Sequence, residues 1–459
     1  MPVPGPNFQA DSRPLPVIQP GGMSTPENNS PTGQSLRRAL GRWDLTAIGV
    51  NQVIGGAIFL MPSQVAALIG AWSVPAFILA GLASLMVALC FAEVGSRFEG
   101  TGGPYLYTRA AFGRFAGFEV GFMQWFTRVA SHSSIVNGLA LALGFYWPAA
   151  AAGPGRSAVI IGLTVFLTAI NVVGIRQSAW VVDILTIGKL LPLGIFIAIG
   201  AFYYQSGTAG TLGPITWQQG TTAALLMIFV YGGYDVVPVP AGEASDPRRH
   251  VPFALVMTIV TVTLVMTLTQ LVAIGTLPGL VSSKTPLADA AQLFMGSAGA
   301  LLIGLGSVIS MTGNNAGQIL TGSRMLFALA ENGQLPAWFG RVNRSYRTPA
   351  NAIVFSAGIG LILALTGSFV KLAVVSAVAR LVTYTGACAS TLILRRNRYE
   401  GKVSPATFVI PGGPVVPLLA VVISLAILFG ATREQILGGG LALAAGAALF
   451  GLNLWLRRS

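Results

Sequence analysis

The stretch GVNQVIGGAIFLMP, Gly49 to Pro62, decides how this 459-residue chain is read. It lies inside an apolar run long enough to cross a bilayer, where about 20 residues at 1.5 Å each cover roughly 30 Å of hydrocarbon. Yet Gly49, Gly55 and Gly56 fall within eight residues, and the polar Asn51 and Gln52 stand between them. A glycine inside a helix costs roughly 1 kcal/mol relative to alanine. Unwound backbone at membrane depth is tolerated only where it is buried in protein or lines a cavity. The pattern therefore predicts a spanning helix that is interrupted near its centre.

The rest of the chain supports spanning. It is 53% hydrophobic and only 9% charged, against about 25% charged in a soluble domain, and its mean hydropathy is +0.72. Ten-residue segments of alternating hydrophobicity, the mark of a barrel, do not occur, so the chain reads as an all-α polytopic membrane protein. Twelve spans are expected at about 45–69, 73–96, 113–146, 157–174, 178–204, 219–242, 251–276, 297–330, 349–366, 368–394, 413–431 and 433–456. A short amphipathic segment, TPLADAAQLFM (285–295), is expected at the surface between spans seven and eight.

Charge tests this layout. With the N-terminus inside, 20 of the 27 Lys and Arg fall on the tail, the inner loops or the adjoining helix ends. Arg156, Lys284, Lys371 and Arg433 fall outside, and Arg128, Lys189 and Arg380 fall within spans. This is a positive-inside distribution. It accounts for the net charge of +13 without a nucleic-acid partner. Both termini are placed on the cytoplasmic side of the plasma membrane. Residues 1–40, rich in Pro, Gly, Ser and Asn, read as a disordered tail, residues 41–400 as the core, and 401–459 as two appended helices. Cys90 and Cys388 lie in apolar runs and read as small buried hydrophobes, with no disulfide framework.

A second interruption occurs in span six, FVYGGYDVVPVPAGE, Phe229 to Glu243. It holds Gly232 and Gly233, an aspartate, and two prolines, each without a donor N–H. Paired interruptions in corresponding places of two halves point to a transporter's binding site. Spans 1–5 (about 45–204) and 6–10 (about 219–394) are then expected to form a 5+5 inverted repeat. A broken helix offers free N–H groups, which suit a carboxylate, and free C=O groups, which suit an ammonium. A zwitterion fits such a site. Close helix packing on small residues is the competing explanation for one glycine pair alone.

The residues also resemble a known family. GVNQVIGGAIFLMP resembles the first-helix signature of the amino acid–polyamine–organocation (APC) superfamily, commonly G-x-G-x-x-I-G-x-G-I-F-x-x-P. FAEVGSRFEGTGGPYLYTRAAFG (91–113) resembles its loop after helix 2, GEASDPRRHVP (242–252) the end of helix 6, and GSRMLFALAENGQLP (322–336) the end of helix 8. The resemblance runs in order from about 40 to 400. It implies a LeuT-type fold and transport of amino acids or related amines by alternating access, independent of Na⁺ and driven by protons or exchange. By resemblance, Val53, Ile54, Gly55, Gly56 and Ala57 supply backbone donors for a substrate carboxylate. Phe229 takes the place of the helix-6 aromatic gate, and Val230, Tyr231, Gly232 and Gly233 offer carbonyls to the amino group. Asn51 and Ala57 depart from the signature where glycine is usual, and Ala57 adds a methyl where the backbone nears the ligand.

An ionisable residue at membrane depth usually has a partner or a function. By resemblance, Lys189 stands where sodium-coupled relatives hold a cation, and so would hold helix 1 through its carbonyls; proton coupling and snorkelling to the inner face are the other readings. Asp235 follows the second break and could contact a polar substrate, sense a proton or bond helix ends. Glu93 is expected to organise the inner end of helix 2 and the loop after it. Arg128 and His132, four residues apart, share a face of span three. Arg128 could attract an anion or pair with Glu119 or Asp235. His132 could titrate or be a hydrogen-bonded core residue. Arg380 could pair internally or frame a gate, and Ser310, Thr312, Asn314 and Asn315 could line the site or pack helices.

The reading is a secondary amino acid permease. A polyamine carrier would want an acidic pocket, and Arg128 argues against it. A non-transporting sensor of the same fold would want a signalling tail, and the N-terminal 40 residues are short and poor in motifs. HExxH, GxSxG, Walker and CxxC patterns are missing, so no enzyme activity, cofactor or metal is expected. The partners are a small amino acid or amine, protons and the bilayer; the oligomeric state is not assigned.

Overall fold

A computed structural model describes residues 40–100, 102–173, 179–396, 399 and 403–456. The chain runs through α1 (Arg42–Val53), α2 (Ala57–Ile69), α3 (Ser73–Gly95), α4 (Pro104–Phe112), α5 (Arg114–Leu143), α6 (Gly153–Val173), α7 (Ala179–Gly200) and the single turn α8 (Ser206–Ala209). It continues through α9 (Trp217–Val230), α10 (Pro247–Thr276), α11 (Pro286–Glu331), α12 (Ala350–Thr366), α13 (Phe369–Leu394), α14 (Val415–Phe429) and α15 (Arg433–Leu456). Among the described residues seven helical stretches are long and apolar enough to cross a membrane, and α12 and α14 are shorter apolar helices. The chain is an integral membrane protein.

Local chemistry sets several boundaries. Pro104, Pro247 and Pro286 open α4, α10 and α11, where the missing N–H costs nothing. Thr216 and Gln219 form a reciprocal capping box at the start of α9. The first interruption leaves Ile54, Gly55 and Gly56 between two α-helices. The second differs from a helix broken at its centre: α9 stops at Val230, and the rest of the span is two short 3-10 turns at Tyr234–Val236 and Ala241–Glu243. Pro238 and Pro240 account for this, since each removes a helical hydrogen bond.

Segment 285–295 also departs from the expected surface segment. It is helical and continuous with α11 across a turn at Gly296 (φ 65°). Leu287, Ala290 and Ala291 are fully buried, so this helix is set into the protein. The tail lies outside the described residues except for Leu40, as do the 400/401 boundary and the inner charges Arg13, Arg37, Arg38, Arg176, Arg398, Lys402, Arg457 and Arg458. Leu40 pairs with the end of the second interruption: its N–H donates to Glu243 O (3.0 Å) and its carbonyl accepts from Ser245 N–H (3.0 Å).

The long helix α5 packs against α11 and α13, and α10 packs against α3 and α1. Small residues permit these approaches in lipid, where burial of apolar surface gives little drive between helices. A Cβ on Gly81 of α3 would stand 2.4 Å from Thr263 Oγ1 of α10. The appended helices are not a separate body, since α14 packs on α13 and α3, and α15 on α5 and α13.

Candidate functional site

The two interruptions meet backbone to backbone. Gly233 has φ 144°, a conformation that side-chain-bearing residues rarely adopt. A Cβ there would stand 2.6 Å from Gln52 C and O and 2.8 Å from Val53 N. Only glycine lets the second break press against the last turn of α1. Beside this contact lies a small pocket. Val53, Gly55, Gly56 and Ala57 form one wall, and Phe229 and Gly232 another.

The polar groups of the first break are sorted by which already have partners. The carbonyls at the end of α1 are occupied. Lys189 Nζ donates to Asn51 O (3.1 Å) and Ile54 O (2.9 Å). Ser310 Oγ, with two acceptors in reach, donates towards Ile54 O and Gly55 O (3.2 Å each). Asn314 Nδ2 donates to Gln52 O (2.7 Å). The N–H groups of Ile54 and Gly55 are also used, bonding Val50 O and Val53 O. Gly56, Ala57 and Ile58, at the start of α2, have N–H groups that the helix itself cannot satisfy. Of the five expected donors, then, Ile54 and Gly55 are spent and Val53 is the last residue of α1; Gly56 and Ala57 stand free, and Ile58 joins them.

The second break presents the opposite polarity. Tyr231 and Gly232 N–H close the end of α9 on Met227 O and Phe229 O. The carbonyls of Val230, Tyr231 and Gly232 receive no main-chain hydrogen bond among the described residues, whereas Gly233 O accepts from Val236 N–H (3.1 Å). Gly233 therefore serves as the contact point, and its carbonyl is already occupied. The Tyr231 side chain leaves the site, its hydroxyl donating to Phe77 O on α3 (2.6 Å). Phe229 meets Phe369 edge to face at 6.2 Å, so the aromatic gate position is braced by α13.

Below the break sits a buried ion triad. One Asp235 oxygen meets Arg128 Nη2 of α5, and the other meets Arg380 Nη1 of α13 at 2.8 Å. Gly233 N–H donates to the same carboxylate (3.2 Å). All three side chains are 1% exposed. Arg128 thus takes Asp235 of its two candidate partners. Both Glu119 oxygens are without a hydrogen-bond partner. His132 does not follow Arg128 into this cluster. Its ring bonds Asn315 Oδ1 (2.9 Å) and Thr164 Oγ1 (3.4 Å), and it is a core residue joining α5 to α11 and α6.

Glu93 lies elsewhere. It clamps Arg395 at the end of α13 through two hydrogen bonds (2.6 and 2.5 Å) and accepts from Ile410 N–H (2.8 Å). It joins α3 to α13 and the segment before α14, and its carbonyl accepts from Ser96 Oγ where α3 gives way to the following loop (2.7 Å). Lys189 is fully buried, which removes the snorkelling reading.

Sequence reasoning missed four residues of the cavity wall, Gln52, Ser131, Ile135 and Gln318. A signal existed for one. Ser310, Asn314 and Gln318 recur every four residues, a polar stripe along one face of the apolar α11. Thr312, off this stripe, is only half-buried.

A polytopic helical protein in which a helix broken at Ile54–Gly56 faces the open end of α9, with free N–H groups on one side and free C=O groups on the other, has the architecture of a membrane carrier. The sequence matches the model of the amino acid permease family over residues 40–444, and the chain belongs to that family, within the APC superfamily. It is similar to a serine/threonine exchanger of Bacillus subtilis, with 28% identity over 90% of this chain and 95% of the relative. It is also similar to a branched-chain amino acid permease of that organism (27%; 85% and 88%) and to its methylthioribose transporter (28%; 84% and 87%).

Proposed function

We propose that this permease carries amino acids across the plasma membrane by alternating access, with both termini cytoplasmic and twelve spans, ten of them in a 5+5 inverted repeat. The single observation that carries the reading is the sorting of free groups. The first break leaves N–H groups open at Gly56, Ala57 and Ile58, and the second leaves C=O groups open at Val230, Tyr231 and Gly232, on facing sides of one pocket. The N–H groups of Gly56, Ala57 and Ile58 take the substrate carboxylate, helped by the positive end of α2. The carbonyls of Val230, Tyr231 and Gly232 take the ammonium. Phe229 closes over the bound zwitterion.

Transport needs no Na⁺ in this reading. Lys189 supplies a cation to the carbonyls of α1 from within the protein, and drive comes from protons or from exchange. The interrupted helices with α3 and α10 rock against α5, α6, α11 and α12. A polyamine carrier is disfavoured by Arg380 at the cavity wall and Arg128 beneath it.

Uptake of a labelled amino acid panel into proteoliposomes tests the reading, with and without Na⁺, a pH gradient and internal substrate. Accumulation that follows the gradient or the preload, but not Na⁺, is expected. In the Gly56→Leu variant, whose side chain would collide with Met311 and Ile135, uptake and binding disappear while folded protein remains. Unchanged affinity there removes the carboxylate assignment.

A further inference from the structure

The ion triad does not balance. Two guanidinium groups share one carboxylate, and among the described residues Asp235 is the acid that either arginine meets. One positive charge is left in the buried centre of the protein, where an uncompensated charge is expensive. The excess faces the cavity at Arg380. Its Nη1 is held by Asp235, and its Nη2 lies 3.3 Å from Ser131 Oγ. Its Nε is buried with no hydrogen-bond partner, and the residue lines the same cavity as Gly56, Phe229 and Gly232. The guanidinium lies flat on Gly232, where a Cβ would come within 2.3 Å of its Cζ. The bare backbone of the second break thus makes room for this side chain beside the proposed ammonium site.

A zwitterionic α-amino acid brings no net charge to this balance. Its carboxylate and ammonium are matched by the two helix ends. We propose that the preferred substrate carries a second anionic group on its side chain, as an acidic amino acid does, and that Arg380 binds it. This rests on the zwitterion reading of the two breaks and names the substrate class within it. A side-chain carboxylate fits a guanidinium whose Nε–H is unpaired, through a charge-assisted hydrogen bond. It would neutralise the excess charge, and occupancy would complete a balanced cluster of two arginines and two carboxylates. Asp235 holds the two arginines in position, while Arg380 touches the substrate.

The test compares isosteres. Competition by glutamate and glutamine, and by aspartate and asparagine, is measured against labelled uptake in proteoliposomes, with serine, leucine and lysine alongside. The acidic member of each pair should compete at least about tenfold more strongly, the scale of one hydrogen bond to a charged group. In Arg380→Gln that ratio should collapse towards one, and Arg380→Lys, which keeps the charge, should retain part of it. Size-exclusion profiles report whether each variant folds, and the wild-type ratio alone decides if either does not. A glutamine preference in the wild type, or an acid preference that survives in folded Arg380→Gln, overturns the assignment. Uptake of neutral amino acids alone overturns it while leaving the permease reading intact; binding of no amino acid by folded protein overturns both.

Discussion

Lys189 and Ser310 cap the same end of α1, and the single proton of the serine hydroxyl sets what their loss should cost. Lys189→Met removes the ammonium from Asn51 O and Ile54 O. Ser310 reaches both Ile54 O and Gly55 O with one O–H, so it fully serves only one of them. Lys189→Met therefore orphans Asn51 O and one of that pair. Ser310→Ala orphans Gly55 O alone, since Ile54 O keeps Lys189. At about 1–3 kcal/mol per orphaned carbonyl, Lys189→Met should cost roughly twice as much as Ser310→Ala, less what is regained by removing a buried charge. The double variant orphans all the carbonyls that the singles orphan and no other, so its cost should equal their sum within about 0.5 kcal/mol. The assay is a double-mutant cycle on purified protein in micelles, with tryptophan fluorescence followed through a denaturant titration, and uptake measured on the same preparations. Transport should fall more than folded yield in Lys189→Met. A double variant that costs over about 1 kcal/mol more than the sum would mean that the serine serves both carbonyls at once, and the cap would have to be redrawn.

Other outcomes follow from the same contacts. Asp235→Asn leaves two buried guanidinium groups without a counter-charge and should cost about 3–5 kcal/mol, with part recovered by adding Arg128→Gln; a neutral effect in unfolding experiments would contradict the triad. Gly233→Ala should lower both folded yield and substrate affinity, since a positive φ costs of order 1–3 kcal/mol and the new methyl meets the main chain of Gln52. Wild-type affinity in a binding titration would show that the two breaks need not touch. Glu93→Gln should loosen the clamp from α3 to Arg395 and Ile410, seen as faster amide exchange at Ile410 with the cavity residues unaffected.

Much of the fold was legible because hydropathy and charge act locally. The span boundaries of α3, α10, α12 and α13 follow directly from apolar length, and the two glycine-rich breaks stand out against it. Legibility stopped where tertiary choice began. Arg128, Asp235 and Arg380 lie on three elements separated by more than a hundred residues, and no spacing rule joins them. Arg128 and His132 share a helix face by spacing, yet the neighbours differ: Arg128 finds Asp235, while His132 finds Asn315 of α11. The open N–H groups of the first break begin at Gly56 and not at Val53, because the Ile54 and Gly55 N–H groups are consumed locally, a detail of backbone geometry that a motif does not encode. The loss of the second half-helix in span six was foreshadowed by Pro238 and Pro240, although the prolines alone do not say whether a span kinks or unwinds.

The central claim is that the two breaks divide a zwitterion between them. The most direct measurement is competition binding to the purified protein by a transported amino acid, by its methyl ester and by its analogue lacking the α-amino group. Loss of at least about tenfold in affinity for both analogues is predicted, because each strips one charge from a helix end built for it. Equal binding of either analogue and the parent would contradict the division and leave the open N–H or C=O groups in want of another ligand.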